Sequence, residues 1–172
     1  MILDAQEYIN ELKTYKRYVL KKQDAINRYN DIEVKLQHLS PEYVSPGYVS
    51  MVEVKRYVKG RIITKLVPMP KLDPDPTRRE AIRRGLIDEQ CDLENEINYY
   101  KRKIASIKET SDLLPESLRK LCWDVYVHKR IGKISRDFNY SKAAIYGLIT
   151  EELDDILKVQ RSKKSGNSTE NT

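Results

Sequence analysis

The chain has 172 residues, 40% hydrophobic and 34% charged, with a formal net charge of +6. That is enough apolar material for a core, yet a mean hydropathy of -0.67 points to elongated helices with much solvated surface, one compact domain carrying an extended appendage. No apolar run approaches the ~18 residues of a membrane span, and the opening Met1-Ile2-Leu3-Asp4 has no basic flank leading into an apolar stretch, so neither a membrane partner nor a signal peptide is expected and the protein is read as cytoplasmic.

From about residue 4 to 38, Tyr8, Leu12, Tyr15, Val19, Ile26, Tyr29 and Leu36 recur at steps of three and four with no Gly or Pro between them. This is the pattern of a long amphipathic helix. Lys22 and Glu33 interrupt its seam, so the stripe suits packing on another helix better than a free coiled coil. Residues 40–76 form a connector punctuated by Pro41, Pro46, Gly47, Pro68, Pro70, Pro74 and Pro76, where no helical period survives. Within it, residues 51–67 are rich in β-branched side chains and divided by Lys59-Gly60, a small β-hairpin in which Gly60 supplies a positive φ. The alternative is an irregular loop; Lys55, Arg56, Lys59, Arg61 and Lys65 make the segment basic either way.

Asp75-Pro76-Thr77 starts a second long helix over about 77–111, marked by Ile82, Leu86, Leu93, Ile97, Tyr100, Ile104 and Ile107. Counting Gln90, the steps from Leu86 alternate four and three, which permits an antiparallel hairpin of the two helices or a homo-oligomer formed through them. Arg78, Arg79, Arg83 and Arg84 crowd the first turns of this helix, where the macrodipole disfavours cations. They read as a solvated surface or as a contact for DNA phosphates or an acidic partner. Cys91 and Cys122 are too far apart for a close metal pair, and His38 and His128 stand alone. Buried reduced thiols and solvated or hydrogen-bonded histidines are expected, with no metal and no cofactor.

Pro115 begins a shorter helix through Leu118, Leu121, Cys122, Val125 and Tyr126, which breaks at Arg130-Ile131-Gly132. Residues 131–150 then fit a helix-turn-helix. Ile134 and Phe138 give the first helix its apolar face, Ser135 is small at the closest approach, and Asn139 tolerates a left-handed turn. Tyr140 is expected to pack inward, Ser141 to cap the second helix, and Ile145 and Leu148 to carry its core face. Ser141, Lys142, Ala143, Tyr146, Gly147 and Thr150 are left outward, as candidates for the major groove of double-stranded DNA. Lys129, Arg130, Lys133 and Arg136 lie just upstream as phosphate contacts. Glu151, Glu152, Asp154 and Asp155 would be repelled by phosphate, so this face ends near Thr150. The domain is bounded at 113–158, with residues 1–112 holding the long helices and 159–172 a disordered basic tail.

This layout resembles the late-operon transcriptional regulators of phages and mobile elements in Gram-positive bacteria, the ArpU and RinA type, which are themselves similar to the DNA-reading fourth region of sigma factors. The resemblance rests on Leu121 to Tyr126 and on Ile134 to Leu153, especially Asn139-Tyr140-Ser141 and Ile145-Tyr146. Ser135 and Asn139 stand where that family more often has Ala and Gly. The resemblance implies a sequence-specific DNA-binding regulator in a bacterial host cell, with RNA polymerase as a further candidate partner. Two other readings stay open. A phage small terminase subunit would assemble into a large ring, and a helical interaction protein such as an antirepressor would show no salt-dependent DNA affinity. An enzyme is not expected, because the chain has no glycine-rich phosphate loop, no nucleophile elbow and no paired acidic site with a histidine.

Overall fold

The computed structural model describes residues 2–39, 51–58, 60–68 and 76–166. Their order is α1 (Ala5–His38), β1 (Met51–Val58), β2 (Arg61–Pro68), α2 (Pro76–Asp112), α3 (Glu116–Cys122), a π-helical turn (Trp123–Val127), α4 (Ile131–Phe138) and α5 (Lys142–Gly166). The mainly helical class, the long N-terminal helix and the small hairpin in the connector are all present. Residue contacts divide the chain into two compact units, Met1–Val19 with Lys101–Thr172, and Leu20–Tyr100. The division therefore runs differently from the boundary expected at 112. The start of α1 and the end of α2 share a core with the C-terminal helices, and that shared burial joins them.

In the first of these units α1 begins with a reciprocal cap. The Glu7 amide donates to Asp4 Oδ1 at 2.7 Å while the Asp4 amide donates to Glu7 Oε2 at 3.1 Å, satisfying two donors that a helix start otherwise leaves open. Ile2, Leu3, Ala5, Tyr8, Ile9 and Leu12 are buried against Ile107, Leu114, Leu118, Cys122, Val125 and the α5 stripe of Ile145, Ile149, Leu153 and Leu157. A polar node sits inside this apolar shell. Ser111 Oγ lies 2.6 Å from the Tyr8 hydroxyl and accepts from Trp123 Nε1 at 3.2 Å, while the Leu3 amide donates to Thr110 Oγ1 at 3.3 Å. The polar groups of this node are thereby partnered, without which their desolvation would cost about 1–3 kcal/mol each.

The second unit is built on Ala25, Ile32, Leu93 and Ile97, with Ile26, Tyr29, Leu36 and Leu86 packed around them. The seam of α1 thus runs through Ala25 and Ile32, one residue earlier than the expected line through Ile26. An alanine makes a buried position easy to overlook. The hairpin pairs Val58 with Arg61 and Met51 with Pro68 in antiparallel register, and Gly60, just before Arg61, has φ +79°. Val54 and Val67 are buried, and Arg56 pairs with Asp31 of α1, its Nε donating to Oδ1 at 3.3 Å.

Three expectations fail in this region and the next. Cys91 is exposed and only Cys122 is buried, because Cys91 falls off the α2 face that carries Leu93 and Ile97. The helix from Pro115 is not uniformly α; it widens to π at Trp123–Val127. Finally, α5 continues to Gly166 through residues expected to start the tail at 159, while 167–172 lie outside the described residues.

Candidate nucleic-acid interface

The geometry of residues 128–150 is set by backbone hydrogen bonds at each break between helices. After the π turn, the His128 amide donates to the Trp123 carbonyl at 2.9 Å and the Arg130 amide to the Asp124 carbonyl at 2.8 Å. Arg130 Nη1 reaches Asp124 Oδ1 at 3.3 Å. Between them Lys129 is held at φ 59°, a left-handed conformation that costs a non-glycine residue about 1–2 kcal/mol. The anchoring bonds on either side offset that cost and aim a basic loop at the start of α4.

At the far end of α4, Asn139 adopts the left-handed conformation expected of it, with φ 54° and ψ 33°. Ser135 contributes more than small size: its Oγ donates to the Tyr140 carbonyl at 2.7 Å, closing the turn. Ser141 caps α5, since its Oγ accepts from the Ala144 amide at 3.1 Å. This is the bond of an N-cap to the third helical residue. Residues 131–150 therefore form two helices joined by a hydrogen-bonded turn.

The side chains divide cleanly on α5. Ile145, Ile149 and Leu153 are buried, while Ser141, Lys142, Ala143, Tyr146 and Gly147 are exposed and Thr150 is half-buried with its hydroxyl bonded to the Tyr146 carbonyl at 2.9 Å. Lys129, Arg130, Lys133 and Arg136 are exposed as well. Among the described residues Lys129, Lys133 and Lys142 make no ion pair, whereas Arg130 is engaged by Asp124 and Arg136 Nε donates to the Gly132 carbonyl at 3.3 Å. The capped start of α5, with amides not used inside the helix and Lys142 beside them, has the chemistry to hold an anion.

Three inward assignments are corrected. Leu148 is 49% exposed and Ile149 takes the core position instead, because the stripe continues in steps of four through Leu153 and Leu157. Phe138 and Tyr140 are 66% and 54% exposed; the turn is held by polar bonds and does not draw these rings into the core. Phe138, with Leu121 and Ile134, lines a cleft of about 510 Å³ between α3 and α4 whose rim carries Lys120, Arg130, Lys133, Asp124 and Asp137.

Tyr146 also has a neighbour that its local sequence does not announce. Its ring lies 5.9 Å from that of Tyr126 at an interplanar angle of 31°, and Lys13 Nζ of α1 sits 5.8 Å from the Tyr126 centroid. Burial is the main cause that pushes the Tyr126 hydroxyl up to about 12, so this ring stays neutral at physiological pH. Among the described residues no helix is long and apolar enough to cross a membrane, and no group of three or more His, Cys, Asp or Glu could hold a metal. No family model, no curated protein and no solved structure matches this chain.

Proposed function

We propose that this protein is a sequence-specific regulator of transcription from a phage or mobile genetic element, of the ArpU and RinA kind, that binds double-stranded DNA through α4, the turn and α5. The observation that carries the reading is the two-faced start of α5. Its inward stripe is buried, while Ser141, Lys142, Ala143, Tyr146 and Gly147 form an outward surface of small, basic and aromatic residues. Such a surface matches what a major groove requires: close backbone approach, a phosphate at the helix start, and an apolar or hydrogen-bonding tip for base edges. Lys129, Lys133 and Arg136 supply charge for the flanking phosphates. Leu20, Ile82, Ile87 and Tyr99 leave apolar surface exposed on the long helices, which supports self-association there; RNA polymerase is a further partner in keeping with a regulator that acts in the bacterial cytoplasm.

Selection of bound fragments from phage and bacterial genomic DNA tests this reading. Enrichment of promoter regions, with affinity that falls steeply as salt rises, is expected. Enrichment of a single packaging site would replace regulation by genome packaging, and the absence of any enrichment would remove DNA as the ligand.

A further inference from the structure

The outward face of α5 ends against its own acids. Glu151, Glu152 and Asp155 follow Tyr146 within three turns and are exposed, so a nucleic-acid strand passing Tyr146 meets repulsion farther along the same helix. Attraction on that side has to come from another element, and α1 brings a lysine to the ring that neighbours Tyr146. Tyr126, only 4% exposed and fixed in the π turn, is a neighbour of both Tyr146 of α5, at 5.9 Å between ring centroids, and Lys13 of α1, whose Nζ is 5.8 Å from its centroid. Lys13 itself is exposed, makes no ion pair among the described residues, and opens a ridge continued by exposed Lys16 and Arg17.

Resting on the reading of α5 as the groove-facing helix, we infer that Lys13, held over the Tyr126 ring beside Tyr146, is a further binding site for the phosphodiester backbone of duplex DNA. The major groove is about 12 Å wide, so a side chain near its centre has a phosphate wall roughly 6 Å to either side. The Tyr146 ring and the Lys13 ammonium share the Tyr126 ring as a neighbour, which puts the charge in the vicinity of that wall. The cation–π contact, worth about 0.5–1 kcal/mol at an exposed site, selects the rotamers that keep the charge at this edge. Less side-chain entropy is then lost when a phosphate arrives. Nothing in the α1 sequence distinguishes Lys13 from its neighbours; the contact with Tyr126 does.

The test uses the full-length protein and a duplex selected by it, with affinity measured across roughly 50–200 mM salt. Lys13→Ala is expected to make the plot of log affinity against log salt shallower by about 0.9, the contribution of one neutralised phosphate. Its preference for the selected duplex over a random one should not change. Lys13→Arg is expected to restore the slope. An unchanged slope for Lys13→Ala, while Lys142→Ala still shifts it, overturns the site and leaves the helix-turn-helix reading standing. A loss not rescued by arginine, or an altered preference between the duplexes, also overturns it. A wild-type protein without salt-dependent duplex affinity removes both readings.

Discussion

Replacing Gly147 by alanine should stabilise the protein, and a longer side chain at the same place should weaken DNA binding. Gly147 lies inside α5, is exposed, and an added Cβ would meet nothing within 4 Å. Its φ is not positive, so neither packing nor backbone conformation requires a glycine. In a helix interior glycine is less favourable than alanine by about 0.8–1.0 kcal/mol. With no clash to offset that gain, Gly147→Ala should raise stability by nearly this amount, a rise in Tm of about 2–4 °C for a chain of this size. Gly147→Gln should keep roughly half of the gain, since glutamine is also a good helix former, while placing a long side chain between α5 and whatever approaches its backbone. If that approach is made by the groove of a duplex, affinity should fall by about tenfold or more, equivalent to about 1.4 kcal/mol. Thermal unfolding and a binding titration on the same preparations provide both readouts. A Gly147→Gln protein that melts higher and binds its selected duplex as well as the wild type would refute the claim that backbone exposure at 147 serves DNA contact.

Ser141→Ala should lower stability by about 1 kcal/mol in a denaturant titration, through loss of the cap on the Ala144 amide. Ile149→Ala should cost about 2–5 kcal/mol because Ile149 is fully buried, whereas Leu148→Ala should stay within about 0.5 kcal/mol of wild type; the reverse order would overturn the assigned phase of α5. A thiol reagent at neutral pH should modify exposed Cys91 in the native protein and reach buried Cys122 only on unfolding, as counted by mass spectrometry. Burial pushes Cys122 from its ordinary 9.0 up to about 12, so above pH 9 the unfolded chain loses this proton while the folded chain keeps it. Stability should consequently fall as pH rises from about 9 towards 12, and Cys122→Ala should flatten the first part of that decline.

Helix existence is legible in this sequence because steps of three and four persist over α1, which has no Gly or Pro, and over α2, where Pro76 opens the helix and Gly85 does not break the pattern, and the hairpin because Lys59-Gly60 divides two β-branched runs. Helix phase is less legible. The buried line of α1 passes through Ala25 and Ile32, and an alanine weighs little in an apolar pattern beside Ile26. On α5 Leu148 and Ile149 are adjacent and equally apolar; only the continuation to Leu153 and Leu157 selects Ile149. The π turn has no sequence mark, since Trp123 to Val127 would satisfy an ordinary helix, and the Tyr8–Ser111–Trp123 node joins residues that are remote along the chain.

The candidate interface was legible to the extent that it depends on local backbone chemistry. Asn139 and Ser141 act through their own φ and their own oxygen, so their roles follow from residue type, as does outward projection of Lys142 and Gly147 one face away from Ile145. Hydrophobicity suggests burial for Phe138 and Tyr140, whereas the turn is already fixed by the Ser135 bond to the Tyr140 carbonyl and the left-handed Asn139. A turn held by polar bonds leaves its aromatic side chains free of any packing duty. Their exposure is thus compatible with a stable turn, and substitution of these rings should leave the two helices undisturbed.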